Sequence, residues 1–369
     1  MGGNDLWIAC FACALISFIS ISSQAFIFWP WLFGPWSSSA PASPIGPLDP
    51  LDPLENAIRY NFDSEDGKTS LGYLSIMWTD LNVQALLYLI PFNFSLVMLC
   101  WNYYLTMTTD PGSPPFDWNP PTDGSSIEYK RTTHTPRYCS TCDAYKPPRT
   151  HHCRNCKKCV LKMDHHCPWV NNCVGYFNYG HFVRFIIWTT ISTFICGALI
   201  ILRCWEAYEN EKIGINRRSA PTPGQVILIA VNLCLDGSVL CGVSILSMYH
   251  IWCISCNTTT IESWEKDRVL TMIRRGRISD VKCPYNQGIL VNFQEVLGTN
   301  PLLWLWPQHM LGDGLRFKVR QDKGRDRQDS MSSEDESSSS SSSRLPGPKR
   351  WLRQFDLVHN QIDELVEMV

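Results

Sequence analysis

The chain has 369 residues, a formal net charge of −2, 45% hydrophobic residues and 17 cysteines. Lys+Arg 32 against Asp+Glu 34 leaves no basic surplus, and no nucleic-acid partner is expected. These averages would suit a soluble protein, but the apolar residues are gathered into four long runs.

Residues 1–36 hold the N-terminus and the first run, Leu6 to Phe33, which carries no charge and exceeds the roughly 20 residues that span a bilayer. A cleaved signal peptide is disfavoured, because no basic n-region precedes the run and no small-x-small cleavage site follows it. Residues 37–82 follow as a lumenal loop, rich in Pro and Ser from Pro35 to Pro53. Residues 83–105 form the second span, with Pro91 a predicted kink; the Asn93-Phe94-Ser95 sequon lies inside it and is discounted as a glycan site. Residues 106–181 form a small cytosolic domain entered through a proline-rich connector, Pro111 to Pro121. The third span occupies 182–204, a second lumenal loop 205–224, and the fourth span 225–253 with a single acid, Asp236. Residues 254–317 are a cytosolic C-terminal segment, and 318–350 are a charged, Ser-rich linker with the composition of disorder. In 351–369, apolar residues at 351, 355, 358, 362, 365 and 369 predict an amphipathic tail helix.

Lys and Arg set the orientation. Nine lie between Leu105 and Phe182, against only Arg59 and Lys68 between the first two spans. Residues after the fourth span are again basic, from Lys266 to Lys282. The domain between spans two and three, and both termini, are therefore expected in the cytosol, a reducing compartment where cysteines hold zinc rather than form disulfides.

That domain is the densest chemistry in the chain. From Tyr138 to Cys173, seven cysteines and four histidines fall within 36 residues: Cys139, Cys142, His151, His152, Cys153, Cys156, Cys159, His165, His166, Cys167 and Cys173. A closed structural zinc site takes four N or S ligands, so two sites consume eight and leave three. A thiol and an imidazole outside a metal site are the parts of an activated nucleophile. Spacing alone does not say which eight are ligands. The short, turn-rich sequence predicts a domain held together by metal more than by a hydrophobic core.

The ordered run Cys139-x2-Cys142-x4-Pro147-x-Arg149-x3-Cys153-x2-Cys156-x2-Cys159, followed by Asp164-His165-His166-Cys167-Pro168-Trp169-x2-Asn172-Cys173-Val174-Gly175, resembles the cysteine-rich domain of DHHC protein S-acyltransferases. Three further pieces match that family in order: Asp110-Pro111-Gly112, then Thr259-Thr260-Ile261-Glu262, then Tyr285, Asn292-Phe293 and Gly298. The layout is similar to the fungal endoplasmic-reticulum members. The resemblance implies an α-helical polytopic membrane protein with four transmembrane helices and a cytosolic, zinc-stabilised cysteine-rich domain between the second and third. It allocates two structural Zn2+ ions in an interleaved way, one to Cys139, Cys142, His152 and Cys159, the other to Cys153, Cys156, His166 and Cys173.

It further implies transfer of a fatty acyl group, palmitoyl by family default, from acyl-CoA to cysteine thiols of proteins through an acyl-enzyme at Cys167. His165 is then the base and Asp164 the residue that orients it, with Thr260 and Asn292 in support. Arg149, His151 and Lys162 are candidates to receive the phosphates of CoA, and Trp169 and Phe185 to line the acyl chain's entry. The expected partners are the lipid bilayer and proteins with cytosolic juxtamembrane cysteines, such as a chitin synthase, and the expected location is the endoplasmic reticulum. A zinc-organised scaffold without catalysis predicts no need for Cys167; an ion transporter is disfavoured by a single intramembrane acid. Asp236, with Asn232 one turn earlier, reads as a helix-to-helix hydrogen bonder, and Cys253, Cys256 and Cys283 as unreactive juxtamembrane thiols. Cys283 also departs from the Asn that relatives often carry there.

Overall fold

The computed structural model describes residues 5–33, 67–121, 135–213, 221–265 and 285–319. The tail helix expected at 351–369, most of the Ser-rich linker and Cys283 lie outside these residues. Helix α1 (Leu6–Ser22) passes through a π-helical stretch, Ser23–Phe28, into α2 (Trp29–Phe33). Then come α3 (Gly67–Thr108), α4 (Tyr179–Ile213), α5 (Pro223–Cys256) and α6 (Ile289–Leu297). Three antiparallel hairpins lie between α3 and α4: β1 (Tyr138–Cys139) with β2 (Ala144–Tyr145), β3 (His151–Cys153) with β4 (Lys158–Val160), and β5 (His165–Cys167) with β6 (Asn172–Val174).

Among the described residues four segments are helical, long and apolar enough to cross a membrane: Leu6–Phe28, Leu86–Thr108, Tyr179–Lys212 and Pro223–Cys256. The four-span architecture is present, with the cysteine-rich hairpins between spans two and three. The helices outrun the apolar stretches. α3 starts at Gly67, and α4 continues to Ile213 through Glu206, Glu209, Glu211 and Lys212. Loss of hydrophobicity marks where a bilayer stops, whereas Glu and Lys are good helix formers and let the coil carry on. α3 also runs on through Pro91, where Asn93 Nδ2 donates back to Leu89 O at 2.9 Å and Ser95 Oγ to Phe92 O at 2.7 Å. Asn93 is thus part of a membrane helix.

The chain forms two compact units, each described separately. One draws on Ala12–Met98 and Trp188–Val243. Its core includes Ile27, Phe28, Phe92, Cys196, Leu199 and Ile200, with the Phe28 and Phe92 rings edge to face at 5.7 Å. Hydrocarbon gives apolar side chains no drive to leave it, so close packing and interhelical polar bonds hold such a unit together. Ser22 Oγ donates to Asn232 Oδ1 at 2.8 Å and Ser192 Oγ to Ser95 Oγ at 3.0 Å. Asn232, rather than Asp236, makes the expected helix-to-helix bond. Asp236 is 1% exposed with its Oδ2 against Gly197, where a Cβ would come within 2.9 Å.

The second unit comprises the described parts of Met1–Phe11, Leu99–Ile187 and Ser244–Val369. It carries the hairpins and the C-terminal motifs. The chain enters through Asp110-Pro111-Gly112. Asp110 Oδ1 accepts from Gly112 N at 2.8 Å, and Gly112 sits at φ +97 with Phe177 2.8 Å from where a Cβ would stand, so only glycine fits. Arg184 fastens the C-terminal segment: its buried guanidinium donates to the carbonyls of Leu297, Trp304 and Gln308 at 2.9, 2.8 and 3.4 Å.

Candidate active site and metal centres

The three hairpins are built alike. The residue that ends each turn has a left-handed backbone, Asp143 (φ 53), Lys157 (φ 54) and Asn171 (φ 49), and the second strand starts directly after it. In the middle hairpin the turn folds an amide onto sulfur, Cys156 N donating to Cys153 Sγ at 3.3 Å. The cross-strand register pairs His152 with Cys159 and His166 with Cys173.

Register and turns together gather two ligand groups. Cys139 and Cys142 from the first hairpin's turn meet the His152–Cys159 pair of the second, and Cys153 and Cys156 from the second turn meet the His166–Cys173 pair of the third. In the first group the sulfurs of Cys139, Cys142 and Cys159 stand 3.5, 3.3 and 3.9 Å from His152 Nδ1. In the second, Cys153, Cys156 and Cys173 stand 3.6, 3.4 and 3.4 Å from His166 Nδ1. A tetrahedron with Zn–S near 2.3 Å and Zn–N near 2.0 Å has N···S edges of about 3.5 Å, so both donor sets fit zinc. Bound there, the ion would cross-link consecutive hairpins. The far nitrogen of His166 is also engaged, Nε2 lying 3.0 Å from Asp5 Oδ2 just before α1. A carboxylate on the outer nitrogen of a metal-binding histidine fixes its tautomer and ring orientation.

Three of the eleven cysteine-rich side chains stand outside both groups: His151, His165 and Cys167. Cys167 is 5% exposed, on β5 directly after His166 and opposite Asn172. Asn172 Nδ2 reaches the carbonyls of Thr106, Met107 and Thr109 at 3.1 to 3.3 Å, the open carbonyls at the C-terminus of α3. His165 Nδ1 lies 2.6 Å from Asp164 Oδ2. Burial alone would lower the His165 pKa, but hydrogen bonds to Asp164 and Cys167 outweigh it and push it up to about 10. Burial likewise opposes the Asp164 charge, yet His165 and the Thr260 amide hold its carboxyl below the usual range.

The Thr259–Glu262 segment supplies that second support. Thr259 N donates to Glu262 Oε2 at 3.0 Å and Glu262 N to Thr259 Oγ1 at 3.2 Å, a reciprocal capping box at the start of helical residues 260–265. The box aims Thr260 at Asp164, with N to Oδ1 and Oγ1 to Oδ2 both 2.8 Å. Asp164 therefore accepts from two directions and presents one oxygen to His165.

Arg149 has other partners than the phosphates expected for it. It is 1% exposed, Nε and Nη2 engage Glu262 at 2.6 and 2.7 Å, and Nη1 and Nη2 reach Asn257 at 3.1 and 3.0 Å. Its guanidinium also lies 4.5 Å from the Tyr285 ring centroid. Removed from solvent and held bidentate by Glu262, it anchors the capping box. Lys162 is 7% exposed, and burial lowers its pKa to about 8. His151 is half-buried at the head of β3. Trp169 is half exposed, its carbonyl accepting from Tyr103 Oη at 2.9 Å, while the Tyr103 ring packs 5.0 Å from Phe185. Asn292 makes its hydrogen bonds away from the Asp164–Cys167 strip. Its Nδ2 donates to Ser255 O at 2.8 Å and to Asn286 Oδ1 at 2.9 Å, tying α6 to the end of α5. Among the described residues, Cys253 and Cys256 join no ligand group.

Sequence reasoning missed two side chains at this site, Asp5 and His250. Asp5 gives no local pattern beyond being an acid just before an apolar run. His250 did offer a signal, an ionisable residue inside a span. It lies 1% exposed beside His165.

Comparison with known proteins follows the same residues. The family model described as DHHC palmitoyltransferase matches residues 132–267. The chain is 39% identical over 254 residues to palmitoyltransferase PFA4 of Mycosarcoma maydis, covering 63% of this chain and 52% of that protein, so it spans about half of that relative. It is 34% identical to the probable protein S-acyltransferase 13 of Arabidopsis thaliana, over 64% of this chain and 80% of that one. It is 29% identical to human palmitoyltransferase ZDHHC20, over 74% of this chain and 78% of that protein.

Proposed function

The chain belongs to the DHHC palmitoyltransferase family of membrane-embedded protein S-acyltransferases, and from that premise we propose that Cys167 is the nucleophile, His165 its base and Asp164 the residue that orients the base. The single observation that carries the reading is the Thr260–Asp164–His165 chain of short hydrogen bonds, whose last member is raised in pKa by Asp164 and by Cys167, a cysteine that neither ligand group uses.

The donor is a long-chain acyl-CoA, palmitoyl by resemblance to the family. The raised pKa of His165 means that it already holds the proton at neutral pH, so Cys167 attacks the thioester carbonyl as thiolate; the C–S bond to CoA breaks, and the CoA thiolate takes the proton from His165. In the second half, a cysteine thiol of the client gives its proton to His165 and attacks the acyl-Cys167 thioester. The Cys167 thiolate leaves beside the protonated imidazole. One thioester replaces another at each step, so the barrier is lowered by positioning and thiolate formation rather than by an energy source. Asp164 supplies both, since a buried carboxylate on Nδ1 fixes the tautomer and balances the imidazolium charge. Zinc, when bound, holds the β5–β6 hairpin rigid on both sides of Cys167.

The Lys/Arg pattern supports a cytosolic site, and resemblance to fungal members supports the endoplasmic reticulum and a polytopic client such as a chitin synthase. Trp169 and Phe185 are proposed to flank the acyl chain at the membrane surface. The test incubates purified protein and its Cys167→Ser variant with labelled palmitoyl-CoA. Label that hydroxylamine releases is expected on the first and absent from the second, with zinc content equal in both. Equal labelling of the two would overturn the assignment of the nucleophile.

A further inference from the structure

His250 lies near the end of α5, 1% exposed, and belongs to no motif discussed so far. A ring nitrogen of His250, one of His165 and a carboxylate oxygen of Asp164 all lie within 4.8 Å of one another. Its ring is 6.0 Å from that of His165, and Phe182 packs edge to face against both, at 5.1 Å in each case. Tyr249 and Tyr179 complete the enclosure at 5.6 and 5.8 Å. The Tyr179 hydroxyl lies 3.2 Å from His250 Nδ1.

This arrangement has a preferred polarity. A neutral imidazole carries one N–H. If the Tyr179 O–H donates to Nδ1, the proton resides on Nε2. We propose that His250, oriented by Tyr179, is a positioning residue for the acyl transfer: with Phe182 it fixes the ring plane of His165 and holds a polar ring beside the Asp164–His165 pair. The inference rests on the reading of Cys167, His165 and Asp164 given above.

Packing and polarity make opposite predictions at this residue. His250→Phe keeps an aromatic ring and removes both nitrogens; His250→Gln keeps a polar amide and removes the ring. The readout is the rate of acyl-enzyme formation from palmitoyl-CoA in single-turnover experiments, as its maximum and its concentration dependence, with zinc content measured on the same samples. His250→Phe is expected to lose about tenfold in the maximum rate with unchanged concentration dependence and zinc, as removal of one oriented polar contact implies. His250→Gln should retain most of the rate, and Tyr179→Phe should fall in the same direction as His250→Phe. A fast His250→Phe with a slow His250→Gln would reduce the role to ring packing and overturn the inference. Should the His250 variants lose zinc or fail to fold, Tyr179→Phe, which keeps both rings, decides alone; an unchanged rate overturns the proposal. If Cys167→Ser labels like the unaltered protein, the underlying reading fails instead, and the two failures are distinguishable.

Discussion

The β3–β4 and β5–β6 hairpins are nearly the same object used for different ends. His151-His152-Cys153 recurs fourteen residues later as His165-His166-Cys167, and Lys158-Cys159-Val160 as Asn172-Cys173-Val174. The register repeats with it: His151 faces Val160 and His165 faces Val174, His152 faces Cys159 and His166 faces Cys173, Cys153 faces Lys158 and Cys167 faces Asn172. The turns then part. Cys153 is followed three residues on by Cys156, and Cys167 by Val170. Two thiols at the middle turn feed a metal group, whereas the last turn offers one thiol and a buried valine. Cys167 thus occupies the backbone site of a zinc ligand in a hairpin that lacks the second thiol. The candidate nucleophile takes its rigidity from a metal-binding design while remaining unligated.

The sharpest way to test that contrast is to treat the two cysteines alike. Cys153→Ser should abolish acylation and lose about one zinc per chain, as removal of a ligand from a closed four-ligand site implies. Cys167→Ser should abolish acylation with both ions retained. Metal analysis separates them, and equal zinc in the two variants would break the comparison. Val170→Cys should give the last turn a C-x2-C like the turns of the first two hairpins; with Cys167 drawn into metal binding or a disulfide, acyl labelling is expected to fall by about a hundredfold. Labelling at the unaltered rate would mean that Val170 is not what keeps the thiol free.

A smaller effect is expected from Asp5. Asp5→Asn removes the carboxylate on His166 Nε2 and should weaken the zinc at that group by roughly ten- to a hundredfold, leaving the Cys139 group untouched; competition with a chelator reads both. The smallest effect concerns pH. The His165 pKa is raised in the folded chain from 6.5 to about 10, so its stabilising contribution is complete below about pH 6.5 and fades as pH climbs toward 10. The melting temperature of the protein should exceed that of Asp164→Asn at pH 6.5, and the gap should narrow by pH 10. A constant gap would mean that the pair carries no such charge.

The spans were legible because bilayers impose a simple rule, absence of charge over a fixed length, and Leu6–Phe33 obeys it without exception. Helix ends were not, since the Glu-rich end of α4 is helical without being apolar. Ligand content was legible in the count of eleven cysteines and histidines, while the ligand partition came from the family resemblance and not from spacing, because it depends on the cross-strand register of His152 with Cys159 and His166 with Cys173. The partners of Arg149 were hidden for a related reason: Glu262, which holds it, is more than a hundred residues away. Asp5 and His250 reach the site from distant parts of the chain; His250 offered an ionisable residue inside a span, whereas no local pattern announces Asp5.

Arg184 carries one more consequence, for where this enzyme can be cut. The family model stops at residue 267, yet a guanidinium on α4 binds the carbonyls of Leu297, Trp304 and Gln308, and Tyr176 Oη donates to Leu311 O at 2.6 Å. A chain shortened to the recognised segment would take those three carbonyls away from a buried cation. The self-contained folding unit therefore extends at least to Leu311, about forty residues beyond the boundary that similarity alone would draw.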